Sequence, residues 1–393
     1  MKNIHKAMFN IAIIFFLFVF TKMTFAFESG IYEVEKIGDN SYLFTYVWGE
    51  NNKTNIGVVA SEDGFLLINT MMLDQVDVLE RELAKISDKP VKYVLNSNAD
   101  WYNTSANEYF ADKGATIVAH QDSIYELNNY SNLLFADSFT MEFGGEKISA
   151  FKSGAHSAGH VNIHLENANA IFVADSFSPR WVAPLGPAGI EGQIDGLKSI
   201  VDWSDSNTFI IPGNVAISTH VKRADVLLEI ENRKNLFRRI SMLQERGIST
   251  DQIIKDKQVV EYLKGYEQYE LWHAKPWLYD RINFHRINNK KLLTQQELDE
   301  FSGDYALPDG RIIKIFSKNR QLYARAKGIF YFNLVSSGGD KFWFNSENFS
   351  QSFLFIRDSN HKVTGIKVIF EPNSSHHLQR LASMEITRID NNH

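Results

Sequence analysis

The order of short apolar segments in this sequence predicts an α/β protein in which two β-sheets pack face to face between outer helices, followed by a separate all-β domain. Three observations support this. Residues 31–70 hold consecutive strand-like runs, residues 72–212 alternate strands with helices but return once to consecutive strands, and the chain beyond Asn288 holds only short strand-like runs. Consecutive strands on both sides of a strand–helix alternation fit two sheets better than a single doubly wound sheet.

The first stretch predicts four strands. Runs of four to seven apolar or alternating residues are separated by turns rich in Gly, Asn and Asp, of which Glu62-Asp63-Gly64 is the last. The predicted strands are 32–37, 41–47, 54–60 and 65–68.

The second stretch predicts a mixture of helices and strands. Apolar residues at helical spacing indicate the helices, and buried-type apolar runs indicate the strands. Ser249 and Gln252 have the spacing of a capping box, so a further helix should begin there. The predicted helices are 72–85, 105–113, a segment from Asp122, 194–203 and 219–247, and the predicted strands are 91–95, 115–119, several between 139 and 175 ending in 161–165 and 170–174, and 208–211.

The third stretch predicts a small antiparallel barrel or sandwich. It holds six alternating runs at roughly ten-residue spacing without an intervening helix, which is typical of all-β domains. We place this domain at 294–390 and the preceding one at 27–285, with the boundary between Leu278 and Thr294. The runs are 311–316, 321–325, 330–335, 342–345, 352–357 and 363–370.

Residues 1–26 have the pattern of a secretory signal peptide. Lys2 and Lys6 precede the apolar run 11–20, and a small-residue exit ends at Ala26. The apolar segment 7–20 has 14 residues, fewer than the roughly 20 that a membrane-spanning helix needs. We therefore expect cleavage near Ala26, a secreted or periplasmic location, and no membrane attachment after cleavage.

The composition excludes several kinds of chemistry. The formal net charge of −6 provides no basic field, so a nucleic-acid partner is not expected. The absence of cysteine excludes disulfides, thiolate nucleophiles and cysteine-based zinc sites. Any reaction must depend on histidine, carboxylate, hydroxyl or amide groups.

Three polar segments lie at the ends of predicted strands, which is where α/β architectures present functional groups. The first follows strand 91–95, the second lies before strand 161–165 and is completed by an aspartate at the end of the next hairpin, and the third follows strand 208–211. The candidate residues in these segments are Asn96, Asn98, Asp100, Trp101, His156, His160, Asp175 and Asn214.

The three histidines His156, His160 and His164 are spaced four residues apart, which on a helix would form one metal-binding face. Glycines 154 and 159 break a helix, and the run 161–165 alternates as a strand does. We therefore predict that His160 and His164 lie at a transition from loop to strand, with His164 on a sheet face.

The spacing of these polar segments resembles that of the metallo-β-lactamase superfamily, over about residues 31–265. In that family a strand exit carries His-x-His-x-Asp-His, a later hairpin carries His-Thr-x-Gly-His followed by Gly-Asp, and Pro-Gly-His completes the set. The resemblance implies a four-layer αβ/βα sandwich with two zinc ions that activate a bridging hydroxide for hydrolysis. The segment 57–68 also resembles the first hairpin of the family, with Asn69 in place of the usual aspartate.

This sequence departs from the family pattern at most ligand positions. Asn96, Asn98, Trp101 and Asn214 stand where the family has histidine. Only Asp100, His156 and Asp175 match. Amide oxygens are weak, hard ligands that suit Ca²⁺ or Mg²⁺ better than zinc, so the resemblance implies a zinc cofactor that has been lost or replaced.

Three functions are consistent with this pattern. The first is an exported pseudoenzyme that binds a small molecule or a protein partner in the former active-site cleft, with Trp101 and His160 on its wall. The second is an active hydrolase of ester, amide or lactam bonds, with Asp100, His156 and Asp175 as ligands of an atypical metal ion and as catalytic groups. The third is a scaffold role of the β-domain. Without any ligand, the aspartates and asparagines would only stabilise loops.

Overall fold

The computed structural model describes residues 31–47, 53–123, 131–153, 155–157, 159–179, 189–215, 220–264, 293–307, 310–318, 321–326, 330–345, 351–370 and 385–389. The predicted signal peptide, most of the predicted helix from Asp122 and the predicted domain boundary between Leu278 and Thr294 fall outside or largely outside these residues. No helix in the described part of the chain is long and apolar enough to span a membrane.

The first sheet has eight strands, seven of them in sequence order from β1 to β7, with β13 added beside β3. Strands β1 to β4 are antiparallel, whereas β4 to β7 are parallel. The strands are β1 (Ile31–Lys36), β2 (Ser41–Val47), β3 (Lys53–Ser61), β4 (Gly64–Ile68), β5 (Val91–Leu95), β6 (Thr116–His120), β7 (Leu133–Phe135) and β13 (Asn214–Val215).

The second sheet has five strands in the order β12-β11-β10-β9-β8. Strands β8 to β11 form an antiparallel meander, and β12 lies parallel to β11. The strands are β8 (Ser138–Phe143), β9 (Glu146–Lys152), β10 (Val161–Leu165), β11 (Ala170–Ala174) and β12 (Phe209–Pro212).

Helices lie between these strands and after them. The segment 249–253 begins a helix where its capping box predicts, with Ser249 and Gln252 each accepting from the other's backbone amide. The helices are α1 (Val76–Ala84), α2 (Trp101–Thr104), α3 (Asn107–Asp112), α4 (Gly189–Asp202), α5 (Arg223–Glu245), α6 (Thr250–Ile253), α7 (Lys257–Leu263) and α8 (Gln295–Asp299), with single 3-10 turns at Leu73–Gln75 and Gln121–Ser123.

Helices α4 and α5 begin at other residues than predicted. Helix α4 begins at Gly189 instead of 194, because its first turn contains Gly189 and Gly192, whose low helix propensity hides the helical pattern. Helix α5 begins after Lys222, whose backbone N–H donates to the Asp225 carboxylate at 2.8 Å. That capping bond places the helix start later than residue 219.

The two sheets pack face to face. Gly57 has no side chain where the sheets approach, and a Cβ there would lie 2.7 Å from the Phe172 ring. A buried apolar cluster between the sheets includes Leu43, Val59, Ile68, Leu95 and Val118 from the first sheet and Ile148, Ile163, Leu165 and Phe172 from the second.

Helices cover the outer face of each sheet. Helices α1 and α3 bury Leu79 and Phe110 against the first sheet, and α4 and α5 bury Leu197 and Ile230 against the second. The resulting layers are helix, sheet, sheet and helix. This confirms the predicted αβ/βα sandwich.

The C-terminal region forms a closed barrel of eight antiparallel strands, which confirms the predicted all-β domain. The prediction of six strands was too low, because β14 and β21 have only four residues each and show little alternation. These two strands pair with each other and close the barrel. The strands are β14 (Gly303–Ala306), β15 (Ile312–Lys318), β16 (Gln321–Ala326), β17 (Phe330–Gly338), β18 (Lys341–Asn345), β19 (Gln351–Arg357), β20 (Val363–Phe370) and β21 (Glu385–Arg388).

Candidate functional site

The polar segments predicted from the sequence meet at one edge of the sandwich. Because β4, β5 and β6 are parallel, their carboxyl ends lie side by side, and Asn69 and residues 96–100 follow β4 and β5 there. The second sheet joins this edge through a hydrogen bond from the Val161 backbone N–H to the Ser97 carbonyl, at 2.8 Å. Asp175 directly follows β11 at the same edge. The topology therefore brings the first two candidate segments together.

The third segment is described only by its backbone. Asn214 pairs with Thr54 of β3, which ties the end of β12 to the first sheet. The side chain of Asn214 lies outside the described residues. The same holds for Trp101, which begins helix α2. The roles predicted for these two side chains stay predictions.

Asp100, His156 and Asp175 form a compact group. One potential ligand atom from each lies within 4.8 Å of the others, and the described residues hold no other such group of histidine and carboxylate side chains. The His156 Nε2–H donates to Asp100 Oδ2 at 2.8 Å. The side chain of Asp100 is 31% exposed, whereas that of His156 is 5% exposed. The group therefore opens to solvent on the Asp100 side.

The side-chain amide of Asn98 connects both carboxylates. Its Nδ2 donates to Asp100 Oδ2 at 3.0 Å and to Asp175 Oδ2 at 2.5 Å. Its Oδ1 accepts from the Asp100 backbone N–H at 3.1 Å, which fixes the amide in this orientation. A neutral amide thus satisfies two carboxylates at once. Asn98 occupies one of the positions at which the resemblance predicts a former metal ligand.

Two contributing residues, Tyr102 and Asn103, were missed by the sequence reasoning. The Tyr102 hydroxyl donates to Asp100 Oδ2 at 3.1 Å, and Asn103 Nδ2 donates to Asp175 Oδ2 at 3.0 Å. Their position immediately after Trp101 was the available signal, because the single turn of α2 directs this segment back toward the strand ends.

Asn69 and Asn96 have different surroundings, although both are buried. Asn69 Oδ1 accepts from the backbone N–H of Ser97 at 2.9 Å and from its hydroxyl at 3.0 Å, so it holds the loop after β5 in place. In contrast, neither amide atom of Asn96 has a hydrogen-bond partner. A buried amide without partners is costly and calls for an explanation.

The backbone of this edge is strained. Asn69, Met71 and Ala174 have positive φ angles of 66°, 67° and 42°. Ala174 directly precedes Asp175, and its carbonyl accepts from the Gly213 N–H at 3.0 Å. A Cβ on Gly213 would lie 2.9 Å from the Ala174 Cα, so only glycine fits there. Strain of this kind is often kept where it positions a functional group.

The two carboxyl groups differ in pKa. Burial would raise the pKa of Asp100, but the charge of His156 and hydrogen bonds from His156 and Tyr102 outweigh it and lower the pKa. Burial raises the pKa of Asp175 to about 6; His156 opposes this rise and the Asp100 charge adds to it. Asp100 is therefore the more firmly ionised of the two.

Neither His160 nor His164 hydrogen-bonds to the two carboxylates in the described part of the chain. His160 is fully buried, its Nε2–H donates to the Val173 carbonyl at 3.2 Å, and burial lowers its pKa to about 3. Its ring centroid is 5.6 Å from that of His156, and the two imidazole rings pack edge to face. His164 lies on β10 with its ring edge-on to Trp203. Since β10 begins at Val161, the predicted loop-to-strand transition is confirmed.

The donor set does not fit the two-zinc centre that the fold implies. The described part of the site supplies one imidazole and two carboxylates, and its other polar groups are amides and the Tyr102 hydroxyl. Zinc prefers imidazole and thiolate ligands. The Asn98 amide also directs its N–H groups, not its oxygen, at both carboxylates.

The comparisons with known proteins show a similarity of fold alone. No family model matches the sequence, and no curated protein matches it. Among solved structures, the chain is similar to a metallo-β-lactamase from Pontibacter korlensis, with 16% identity and a TM-score of 0.46 over 52% of this chain and 99% of that chain. It is similar to the metallo-β-lactamase IND-7, with 16% identity and a TM-score of 0.44 over 51% and 98% of the two chains. For the metallo-β-lactamase DIM-1 the values are 15% and 0.44, over 52% and 97%.

Proposed function

We propose that this protein is a relative of the metallo-β-lactamases that has no zinc-dependent hydrolase activity and binds a small molecule in the former active-site cleft. The observation that carries the proposal is the hydrogen bonding of Asn98, whose one amide nitrogen donates to both Asp100 and Asp175. In a zinc hydrolase these carboxylates would face a cation. Here neutral N–H groups satisfy them.

The chemistry of the replaced groups supports the loss of zinc-dependent activity. Bound zinc lowers the pKa of its water from 15.7 to about 7, which makes hydroxide available at neutral pH. Asparagine amides cannot hold zinc tightly enough for this, and Asp100 Oδ2 already accepts from Asn98, Tyr102 and His156. The site therefore lacks a strong means of ionising water.

Features that reduce stability support a binding role. The edge keeps a buried amide without partners at Asn96 and a strained residue at Ala174. A protein that needed this edge only for packing would gain stability from apolar residues there, whereas binding sites retain such features. From the predicted signal peptide we expect this binding to take place outside the cytoplasm. A protein partner is the alternative occupant of the cleft.

A second candidate function is hydrolysis with a single atypical metal ion. The closeness of Asp100, His156 and Asp175, with ligand atoms within 4.8 Å, favours it. In that case one ion would be held by two carboxylates and an imidazole. It would supply the charge that polarises the scissile bond.

Activity assays distinguish the two candidates. The mature protein would be tested on a chromogenic cephalosporin and on p-nitrophenyl esters, with added Zn²⁺, Mg²⁺ or Ca²⁺ and with a chelator. We expect no turnover above that of buffer under any condition. Chelator-sensitive turnover that disappears in Asp175→Ala, but persists in the control Asp122→Ala at the end of the neighbouring strand, would establish the second candidate.

A further inference from the structure

The carboxylate of Asp100 has one oxygen available for a ligand. All the hydrogen bonds that it accepts from described residues go to Oδ2, from Asn98, Tyr102 and His156. No described residue donates to Oδ1, and the side chain is 31% exposed. A charged acceptor oxygen thus faces the solvent-accessible side of the cleft.

Two buried amide oxygens also lack donors. Asn103 is fully buried, and its Nδ2 donates to Asn98 Oδ1 at 2.8 Å and to Asp175 Oδ2 at 3.0 Å, which fixes the amide orientation. Its Oδ1 has no partner. Since its nitrogen contacts Asp175, the free oxygen of the same amide lies beside the carboxylates.

The second free amide oxygen belongs to Asn96. Asn96 and Asn98 lie on either side of Ser97 in the short segment that follows β5. The Ser97 hydroxyl between them donates to Asn69 Oδ1 at 3.0 Å, not to either carboxylate. We infer that the unpartnered amide of Asn96 faces the same cleft as that of Asn98.

The charge of the cleft selects among ligands. Asp100 and Asp175 are accompanied by one imidazole, and no lysine or arginine of the described residues donates to either carboxylate. Among the described residues, Lys152 is paired with Asp122 at 2.7 Å and Arg233 with Glu229 at 2.5 Å. The cleft therefore has an excess of acceptors and of negative charge.

Resting on the proposed binding function, we propose that the ligand is a small primary amine, whose ammonium group donates to Asp100 Oδ1 and to the amide oxygens of Asn96 and Asn103. An ammonium group has three N–H donors and no acceptor, which matches three free acceptor oxygens. A carboxylate ligand would be repelled. A neutral alcohol would gain hydrogen bonds but no charge pairing.

The test uses three probes of equal length. Isothermal titration calorimetry of the mature full-length protein at pH 7.5 would compare 1,4-diaminobutane, 1,4-butanediol and succinate. Hydrogen bonds between charged groups contribute about 1.5–3 kcal/mol, so the diamine should bind at least about tenfold more tightly than the diol. Succinate should not bind.

Variants locate the binding. Asp100→Asn removes the charge with little change in shape, and Asn96→Leu removes the free amide; each should weaken diamine binding at least about tenfold. The matched control Asp122→Asn changes a carboxylate at the end of the next strand and should leave binding unchanged. If circular dichroism shows that Asn96→Leu does not fold, the diamine affinity of Asp100→Asn still tests the proposal.

Three results would overturn the inference: equal binding of diol and diamine, unchanged diamine binding in Asp100→Asn, or displacement of the diamine by CaCl₂ or MgCl₂ at lower concentration than the diamine itself. A metal-free, inactive protein that binds no amine refutes the ligand class alone. Chelator-sensitive turnover refutes the proposed function, whatever the amine result.

Discussion

The interior of the barrel and the polar edge of the sandwich are both buried but are built differently. The barrel interior is almost wholly apolar, and Phe301, Phe342 and Phe355 pack there with ring centroids 4.8 to 5.5 Å apart. The buried hydroxyl of Tyr305 donates to the Phe301 carbonyl at 2.7 Å. This region has the features of a core optimised for stability.

The edge of the sandwich instead buries polar side chains. Asparagines 69, 96, 98, 103 and 107 are each at most 2% exposed. Of the five non-glycine residues with positive φ among the described residues, three lie at this edge. The two halves of the chain therefore differ in what they bury: the barrel interior is packed for stability, whereas the edge keeps costly polar and strained groups that the proposed ligand binding would use.

The largest expected effect is in the barrel. Phe355→Ala should lower the free energy of unfolding by about 3–5 kcal/mol, because the substitution opens a cavity among the packed rings. Urea denaturation followed by circular dichroism measures it, and Phe355→Leu should lose much less. Diamine binding by the folded fraction should not change. Loss of diamine binding in this barrel variant would contradict the separation between a stabilising barrel and a binding edge.

Removing the amide that bridges the carboxylates should have a smaller effect on stability. Asn98→Leu removes one hydrogen bond to Asp100 and one to Asp175, which should lower the unfolding free energy by about 1–3 kcal/mol. The control Asn207→Leu, on an exposed turn, should change stability by less than about 0.5 kcal/mol. Equal effects of the two substitutions would mean that the Asn98 hydrogen bonds contribute nothing.

The pH dependence of Asp175 should distinguish it from Asp100. Burial raises the pKa of Asp175 from 3.8 to about 6, so ionisation disfavours the folded state, and stability falls as the pH rises through that range. Asp175→Asn should therefore be more stable than the parent at pH 7.5, by up to about 3 kcal/mol, and should differ from it much less at pH 4. The measurement is urea denaturation at both pH values.

The pKa of Asp100 is shifted in the opposite direction to that of Asp175, so Asp100 serves as the comparison. Its folded pKa is lowered, so its ionised form stabilises the fold above the ordinary pKa of 3.8, and this contribution is lost as the pH falls through the folded value. Asp100→Asn should thus destabilise the protein at pH 7.5. If Asp100→Asn and Asp175→Asn changed the stability in the same direction at pH 7.5, the assigned difference in pKa between the two carboxyl groups would be wrong.

The smallest expected effect is relief of backbone strain. Ala174 has a φ angle of 42°, which glycine adopts without a steric penalty. Ala174→Gly should raise the unfolding free energy by about 0.5 kcal/mol, since the gain is partly offset by the entropy of glycine in the unfolded chain. It should also weaken diamine binding, because Asp175 follows directly. A loss of stability would show that the angle is not strained.

Most of the architecture could be predicted from the sequence, because apolar periodicity reports directly on burial. The two sheets, their order along the chain and the all-β domain follow from it. The four-residue strands that close the barrel could not be predicted, since so short a segment shows no alternation. The first turn of α4 was missed because its two glycines obscure the helical spacing.

The site was predicted in part. The sequence selected Asp100, His156 and Asp175, which the fold brings together. It could not show that Asn98 donates to both carboxylates, because an amide can present either its oxygen or its nitrogen, and only the backbone N–H of Asp100 decides. Nor did it identify Asn103, whose approach to Asp175 depends on contacts 72 residues apart.

The zinc content of the native protein tests most directly whether amides have replaced the metal centre. The mature protein would be expressed in zinc-supplemented medium, purified without chelators, dialysed against metal-free buffer and analysed by inductively coupled plasma mass spectrometry. We expect well below one zinc ion per chain, unchanged in Asp100→Ala. Two zinc ions per chain at full occupancy, lost in that variant, would contradict the proposed function while leaving the fold intact.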